Sequence, residues 1–333
     1  MGLQIGEIIS KKEISFKDLK NKIIVVDAFN TLYQFLTTVR QPDGTPLMDN
    51  QGDITSHLSG LFYRNLNLIL NGIKLIYVFD GEPPDLKKTT KGFREDAKKI
   101  ARQKYQEARS LQDIEGMGKY SKRDVSLDAV KIKESKELLK AMGIAIVQAP
   151  GEGEAQASYL VNKNPEFYAV SSQDYDCLMF KATKLIQNLS LARRKRTISG
   201  FKEVFPQIIE LDKTLKELGI NQEQLICLGV LCGTDYNPRG IKGLGPKKSL
   251  KLVQEFKTKE KIFEEIKNNE KYEMNFDWKE IYEEIDNPNV KKNIQIEFPK
   301  INKEKIKEIL LKHDFSEKRI EHQFEKLDEL NKR

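Results

Sequence analysis

The chain has 333 residues, room for one large core or two moderate ones. Charged residues make up 32% and the net charge is +7, which fits a polyanionic partner, nucleic acid first, and on charge alone fits a lysine-rich solvated surface equally well. Three cysteines and three histidines (Cys177, Cys227, Cys232, His57, His313, His322) form no tight cluster, which argues against a disulfide framework or a zinc site and for a reducing, intracellular home. No run of 18 apolar residues predicts a membrane span, and the start MGLQIGEIIS has neither a signal-peptide core nor a myristoylation pattern.

Runs at Ile23 to Val26, Leu75 to Phe79, Ile144 to Val147 and Phe167 to Ser171 are short, apolar and bounded by polar residues, and predict buried strands. Between the first two, Leu58, Leu61, Phe62, Leu66, Ile69 and Leu70 fall on one helical face. The alternation predicts an α/β fold with a mostly parallel central sheet flanked by helices. From Pro83 to about Lys131 the chain is basic without a strand signal. Phe93, Ala97, Ile100, Ala101, Tyr105, Ala108 and Leu111 make a helical stripe there, ended by Gly116 and Gly118. A second helical pattern runs from about Ser126 to Met142, so a long helical insertion, a packed subdomain or a lid, interrupts the core. Leu185 to Leu189, the basic run Arg193 to Arg196, and Thr197 with Ile198 suggest a hairpin. After about Asn221 the pattern is helical, broken at Pro288 and Pro299. The organisation read from this is an N-terminal block over 1–100, a helical segment over 83–131 that overlaps its end, a second block over 132–220 and a helical region over 221–333.

The acids stand where the strands stop. One run ends in Asp27, the next in Asp80, and the run at 167–171 leads to Asp174 and Asp176. Glu152 and Glu154 follow the strand at 144–147, and Asp235 follows the helix from Leu225 to Leu231. In an open parallel sheet the carboxyl ends of strands share one edge, where ligands bind. Carboxylates gathered there raise each other's pKa and call for cations. An all-oxygen set suits Mg²⁺, with Mn²⁺ able to substitute, and two such ions clamp the attacking and leaving oxygens of a phosphoryl displacement. The plainer alternative for any single Asp is a helix cap or turn; as a set these positions point to metal.

Gly240 to Val253 reads as a helix-hairpin-helix. Gly243 and Gly245 flank Leu244, and Pro246 stands at a helix start. Backbone N–H groups of such a hairpin face a phosphate, and Lys247 and Lys248 add charge without reading sequence. An ordinary tight turn between helices is the alternative.

Taken in order, the stretches MGLQ, VVDAFNTLYQFL, TSHLSGLFYRNL, NGIKLIYVFDGEPPDLK, QAPGEGEAQASYL, SSQDYDCLMF, LCGTDYNPRGIKGLGPKKSL and HDFSEKRI resemble the flap endonuclease family in its archaeal and eukaryotic form. The resemblance implies a helical arch, at Pro83 to about Lys131, over the active site. It implies hydrolysis of DNA near the junction of a 5′ flap with duplex, leaving a nick for ligation, together with 5′–3′ exonuclease activity, in Okazaki-fragment maturation and repair. By the same resemblance Asp27, Asp80, Glu152, Glu154, Asp174, Asp176 and Asp235 are the ligands of two Mg²⁺ ions, with K⁺ or Na⁺ at the hairpin. Lys87 and Arg94 match a basic pair over the scissile phosphate, although spacing alone would leave them two surface cations. Tyr33 matches an aromatic that stacks on an unpaired base, though a Tyr so placed is more often core. Arg40 and Arg64 match residues that touch DNA, Gly2 a terminus near the site, and Gly233 a close approach of backbone to duplex. Glu152 and Asp235 also lie beside the DNA, and Gly243, Gly245, Lys247 and Lys248 hold it. The Arg193 to Arg196 run is either a template-strand contact or a solvated tip.

The chain departs from the family in two larger ways, besides the minor change of Ser249 where a small Ala is common. It ends Phe324-Glu-Lys-Leu-Asp-Glu-Leu-Asn-Lys-Arg without the sliding-clamp motif, so either a tail is missing or clamp binding is weak or differently built. Between Pro42 and Gly52 only Asp43 and Asp49 remain of an acidic cluster, which bears on holding a 3′ flap. A monomer is expected, working in the cytoplasm at the nucleoid in an archaeal-type cell or in the nucleus of a eukaryote. The rival readings are a sibling nuclease preferring bubbles or gaps, a catalytically inactive DNA-binding protein, and an RNA-cutting toxin with a related core; the short chain between the two nuclease blocks, the complete acidic set and the hairpin disfavour them in that order.

Overall fold

Short apolar runs build the sheet at the centre of the molecule. The strands are β1 (Lys12–Glu13), β2 (Ile23–Asp27), β3 (Lys74–Phe79), β4 (Ala145–Gln148), β5 (Phe167–Ser171), β6 (Lys184–Gln187), β7 (Arg194–Thr197), β8 (Gly200–Glu203) and β9 (Gln207–Glu210). The computed structural model describes residues 3–41, 44–87, 126–190, 194–197 and 200–331, with 100, 103, 104 and 107. It places seven strands in one sheet of order β1-β9-β6-β5-β2-β3-β4. β2 to β6 run parallel, with Val26 between Tyr77 and Ser171, and β9 is antiparallel to β6. The predicted hairpin is corrected. Lys184–Gln187 joins the main sheet between β5 and β9, and the hairpin is β7 paired with β8 in a sheet of its own. β1 and β9 were not expected; β1 is two exposed residues with no apolar run to signal it.

The helices are α1 (Ala28–Thr38), α2 (Ser56–Leu70), α3 (Ala129–Ala141), α4 (Gly153–Lys163), α5 (Asp176–Met179), α6 (Leu211–Leu218), α7 (Gln222–Cys232), α8 (Pro246–Phe256), α9 (Lys259–Asn268), α10 (Trp278–Asp286), α11 (Lys303–Lys312) and α12 (Glu317–Asn331). Strand alternation divides them between two faces. Val25, Ile76 and Val78 pack with residues of α4, α5, α7, α9 and α10. Ile24, Val26, Tyr77 and Phe79 pack with α1, α2, α3, α11 and α12. Both faces being covered explains why the strands read as continuous apolar runs. Most of 88–125, including Arg94 and all of the predicted stripe but Ile100, lies outside the described residues, as do Gly2, Asp43 and Arg193. No helix among the described residues is long and apolar enough to cross a membrane.

Two further features hold distant parts together. Residues 287–302 form no helix or strand. They run from the C-terminal end of β4, where Asn289 lies against Gly151, to its N-terminal end, where Pro299 and Ile301 lie against Gly143. Gln156 exchanges two hydrogen bonds with Lys291, and Asn302 N–H donates to the Ala141 carbonyl. Elsewhere His313, after α11, places Nδ1 2.8 Å from Asp49 Oδ2 and Nε2 3.1 Å from Glu134 Oε1. His57 of α2 lies 3.5 Å from the other Glu134 oxygen.

Candidate active site

The strand-end acids are fixed by hydrogen bonds from named neighbours. Asp27 closes β2 and caps α1, its Oδ1 accepting from Asn30 N–H at 3.1 Å. The cap and the ligand readings of this residue are therefore both compatible with its place. Asp80, one residue beyond β3, accepts at Oδ1 from Gly153 N–H, 2.7 Å, at the start of α4. A side chain at Gly153 would strike that same oxygen. Asp176 Oδ1 accepts from Leu3 N–H at 2.8 Å. Asp174 Oδ2 accepts from Asn30 Nδ2 at 2.9 Å, and Asn30 Oδ1 in turn receives Gln173 N–H. Ser172 Oγ donates to Glu154 Oε1 at 3.0 Å. Glu152 precedes α4, and its Oε2 accepts from the Tyr236 hydroxyl at 2.7 Å. Asn30, Ser172 and Tyr236 did not emerge from the sequence. Each makes its bond to an acid across a large separation in the chain, and only the adjacency of Asn30 to the Asp27 cap hinted at one of them.

The acids are close enough to govern one another's protonation. Burial, then the Asp80 charge, push the Asp27 carboxyl up to about 7. Burial and the Asp174 charge do the same for Asp176, to about 7, and burial lifts Asp80 to about 6. Glu154, buried and next to Asp174, Asp27 and Asp176, is raised well above the carboxylate range. Ser172 Oγ stands between the two, 3.4 Å from Asp27 Oδ2 and 3.0 Å from Glu154 Oε1. The seven predicted acids thus form one continuous field, with Asp235 coupled to Asp176 and to Lys87.

Lys87 enters this field. Its Nζ pairs with Glu152 Oε1, lies 3.6 Å from Asp235 Oδ2, and sits 5.1 Å over the Tyr236 ring. Burial opposes the ammonium, but Glu152 and Asp235 outweigh it and hold the Lys87 pKa above its ordinary value. Among the described residues no three His, Cys, Asp or Glu side chains close on one point as a finished metal cage. The donor chemistry nevertheless fits hard divalent cations. The donors are carboxylate oxygens, their crowding raises them, and the protein's own cation is drawn into their midst.

The helix-hairpin-helix forms as the sequence predicts. α7 ends at Cys232, Gly245 precedes α8, and Pro246 takes its first turn. Gly243 has φ +87°, open to glycine at little cost, with nothing near its missing side chain. Lys248 Nζ donates to the Gly243 carbonyl at 3.1 Å, and Lys247 lies 3.6 Å from Glu7. Gly233 has φ +104°, and a side chain there would strike Gly240 backbone; the close approach that requires glycine is within the chain's own turn. Tyr33 is 36% exposed rather than core. Arg40 turns its guanidinium onto the carbonyls of Leu36, Thr37 and Gly44. Arg64 is half-buried at a cavity of about 490 Å³ beside Ser59, Asn67 and Ser190.

Known proteins match the chain over nearly its whole length. The XPG N-terminal domain family matches residues 2–101 and the XPG I-region family residues 143–235. Flap endonuclease 1 of Staphylothermus marinus is 45% identical, with 98% of this chain and 94% of that one covered. Its counterpart in Pyrococcus furiosus is 46% identical, over 98% and 95%. The solved flap endonuclease-1 from Methanococcus jannaschii superposes with a TM-score of 0.76 at 38% identity, both chains fully covered. The catalytic core of Rad2 in complex with DNA substrate, at 23% identity, shares the fold with a TM-score of 0.71 over 98% of this chain and 97% of that one. With near-complete coverage at this identity, and with the acids that stand at its strand ends falling inside the two matched regions, the chain belongs to the flap endonuclease 1 family.

Proposed function

We propose that this chain is a structure-specific 5′ flap endonuclease with 5′–3′ exonuclease activity, serving Okazaki-fragment maturation and DNA repair. The observation that carries the reading is the field of mutually raised carboxylates at the carboxyl edge of the sheet, with Lys87 drawn among them. Asp27, Asp80, Glu152, Glu154, Asp174, Asp176 and Asp235 would hold two divalent cations, Mg²⁺ or Mn²⁺. Bound there, the cations would stabilise the attacking and leaving oxygens of phosphodiester hydrolysis.

The chain's own residues supply the rest. Lys87 turns its charge from Glu152 to the scissile phosphate, joined by Arg94. Asn30, Ser172, Gly153 N–H and Leu3 N–H keep the carboxylates from swinging. The exposed Tyr33 ring receives an unpaired base. The N–H groups before α8, with Lys247, Lys248 and a K⁺ or Na⁺ ion, grip a duplex phosphate without reading sequence. Arg64, Gly2 and Gly233 line the DNA path. Arg40 reaches it once released from its carbonyls. The protein acts as a cytoplasmic monomer at the nucleoid.

The test is Mg²⁺-dependent cleavage of end-labelled DNA, comparing a 5′ flap with a 3′ flap, a bubble and a single strand, beside Asp174→Ala. Cutting of the 5′ flap near its junction, reduced more than about 100-fold in the variant, is expected, beyond what residues that only orient ligands contribute. A bubble preference would reassign the substrate, and an unaffected variant would remove the metal assignment.

A further inference from the structure

Glu152 stands where a carboxylate commonly caps a helix, yet its side chain makes no cap hydrogen bond. It reaches across the site, and its two oxygens meet different partners. Oε1 meets Lys87 Nζ, and Oε2 accepts from the Tyr236 hydroxyl at 2.7 Å. The ammonium sits at the end of a flexible four-carbon stem and can be exchanged for another cation. The phenol cannot move in this way. Tyr236 is only 9% exposed, and its backbone belongs to a turn that is locked on every side. Tyr236 N–H donates to Thr234 Oγ1, Thr234 N–H and Oγ1 both donate to Asn237 Oδ1, and Asn237 Nδ2 donates to the Val230 carbonyl. Gly240 N–H donates to the Asn237 carbonyl, and Gly233 packs on Gly240. The same turn leads directly into the helix-hairpin-helix.

We infer that Tyr236 is a positioning residue for Glu152. Its hydroxyl fixes Oε2, aims Oε1 at the cation position, and makes that aim depend on the turn joining α7 to the hairpin. The inference rests on the metal-dependent nuclease reading given above. A fixed donor on one oxygen narrows the carboxylate to a single orientation before a cation arrives, and a fixed orientation of this kind lowers the reorganisation needed on binding. The buried phenol needs an acceptor and the buried carboxylate needs a donor, so the pair is closed on itself. An ordinary phenol, with a pKa of about 10, keeps its proton and so remains a donor at neutral pH.

Tyr236→Phe removes only this donor and keeps the ring under Lys87. Two quantities are measured: Mn²⁺ binding to the DNA-free protein by titration calorimetry, and kcat and KM on a 5′ flap. Binding at one site is expected to weaken about tenfold, and kcat to fall about 10- to 100-fold with KM within about twofold of wild type. In a Glu152→Ala background the same substitution should leave Mn²⁺ binding unchanged, because the hydroxyl acts only through that carboxylate. Wild-type Mn²⁺ affinity in Tyr236→Phe, or an equal loss in both backgrounds, would overturn the inference. Should wild type fail to cut flaps, the function reading falls while the calorimetry still decides the role of Tyr236.

Discussion

The acid edge and the cluster of His57, Glu134, His313 and Asp49 both withdraw ionisable groups from water, and they resolve the charge in opposite ways. In the second cluster two carboxylates face two imidazoles, and both His313 nitrogens find an oxygen. There His57 and Asp49's partner His313 hold the Glu134 and Asp49 carboxyls below their ordinary range. At the edge seven carboxylates face a single described lysine, and the buried ones are pushed up. A cluster whose carboxylates find imidazole partners inside the fold is fastening it. One left unbalanced is stable only with charge brought from outside, and that imbalance marks the site.

The largest effect that would sharpen this contrast is at Lys87. Lys87→Ala should lower turnover on a 5′ flap by about 10²- to 10³-fold, the range for losing one preorganised charge at a transition state. Flap binding, measured separately, should fall only a few-fold. Equal losses in both would reduce Lys87 to a plain phosphate contact.

Proton linkage should separate the two clusters next. Asp27, Asp176 and Asp80 have folded pKa values near 7, 7 and 6, above the ordinary 3.8. Their stabilisation is therefore complete below about pH 4 and is lost as pH rises through 6 to 7. Glu134 and Asp49 are held low, and burial holds His57 low; their contribution is present at neutral pH and is lost on acidification. In EDTA, Asp27→Asn with Asp176→Asn should flatten the fall of Tm between pH 5 and 8. His313→Ala should instead flatten the fall on the acid side. Between pH 5 and 7 the Mn²⁺ affinity of the DNA-free protein should rise about tenfold per pH unit for each proton released. A pH-independent affinity would mean that the raised carboxylates are not the ligands.

At neutral pH, His313→Ala should lower Tm by about 5 °C through two lost charge-assisted hydrogen bonds, while Mn²⁺ affinity stays at the wild-type value. A changed affinity would break the separation of the clusters. The smallest effect belongs to the hairpin, where Lys248 is already bound to Gly243 and Lys247 lies near Glu7. Lys247→Ala with Lys248→Ala should weaken duplex binding and reduce its logarithmic salt slope by about 2. An unchanged slope would free these lysines of any phosphate.

The acids were legible because a parallel sheet gathers strand ends whatever the loops do, so Asp27, Asp80 and Asp174 could be placed by asking only where apolar runs stop. The hairpin was legible because a turn that favours glycine at Gly243 is followed at once by Pro246 at a helix start. Asn30, Ser172 and Tyr236 were not, since each is an ordinary polar residue whose meaning lies in a partner 18 to 144 positions away. The His313 cluster escaped for the same reason, with 264 positions between His313 and Asp49. The hairpin at β7 and β8 was misplaced because the apolar run at Leu185 to Leu189 is a sheet strand, and periodicity does not say which neighbour a strand will choose.

The segment 287–302 has a consequence for how the chain is made. It carries the polypeptide from the face held by α10 to the face held by α11 and α12, past β4. Phe324 of α12 meets Phe62 of α2 edge-on, 6.4 Å between ring centres, so part of the wall over α2 is supplied by a helix synthesised long after it. Until then the patch of α2 around Phe62 lacks that cover, while α1 and α3 already pack on the rest of its apolar face. A nascent chain stalled before residue 303 would expose that face, whereas a finished chain nicked once within the strap would keep both halves together by packing alone.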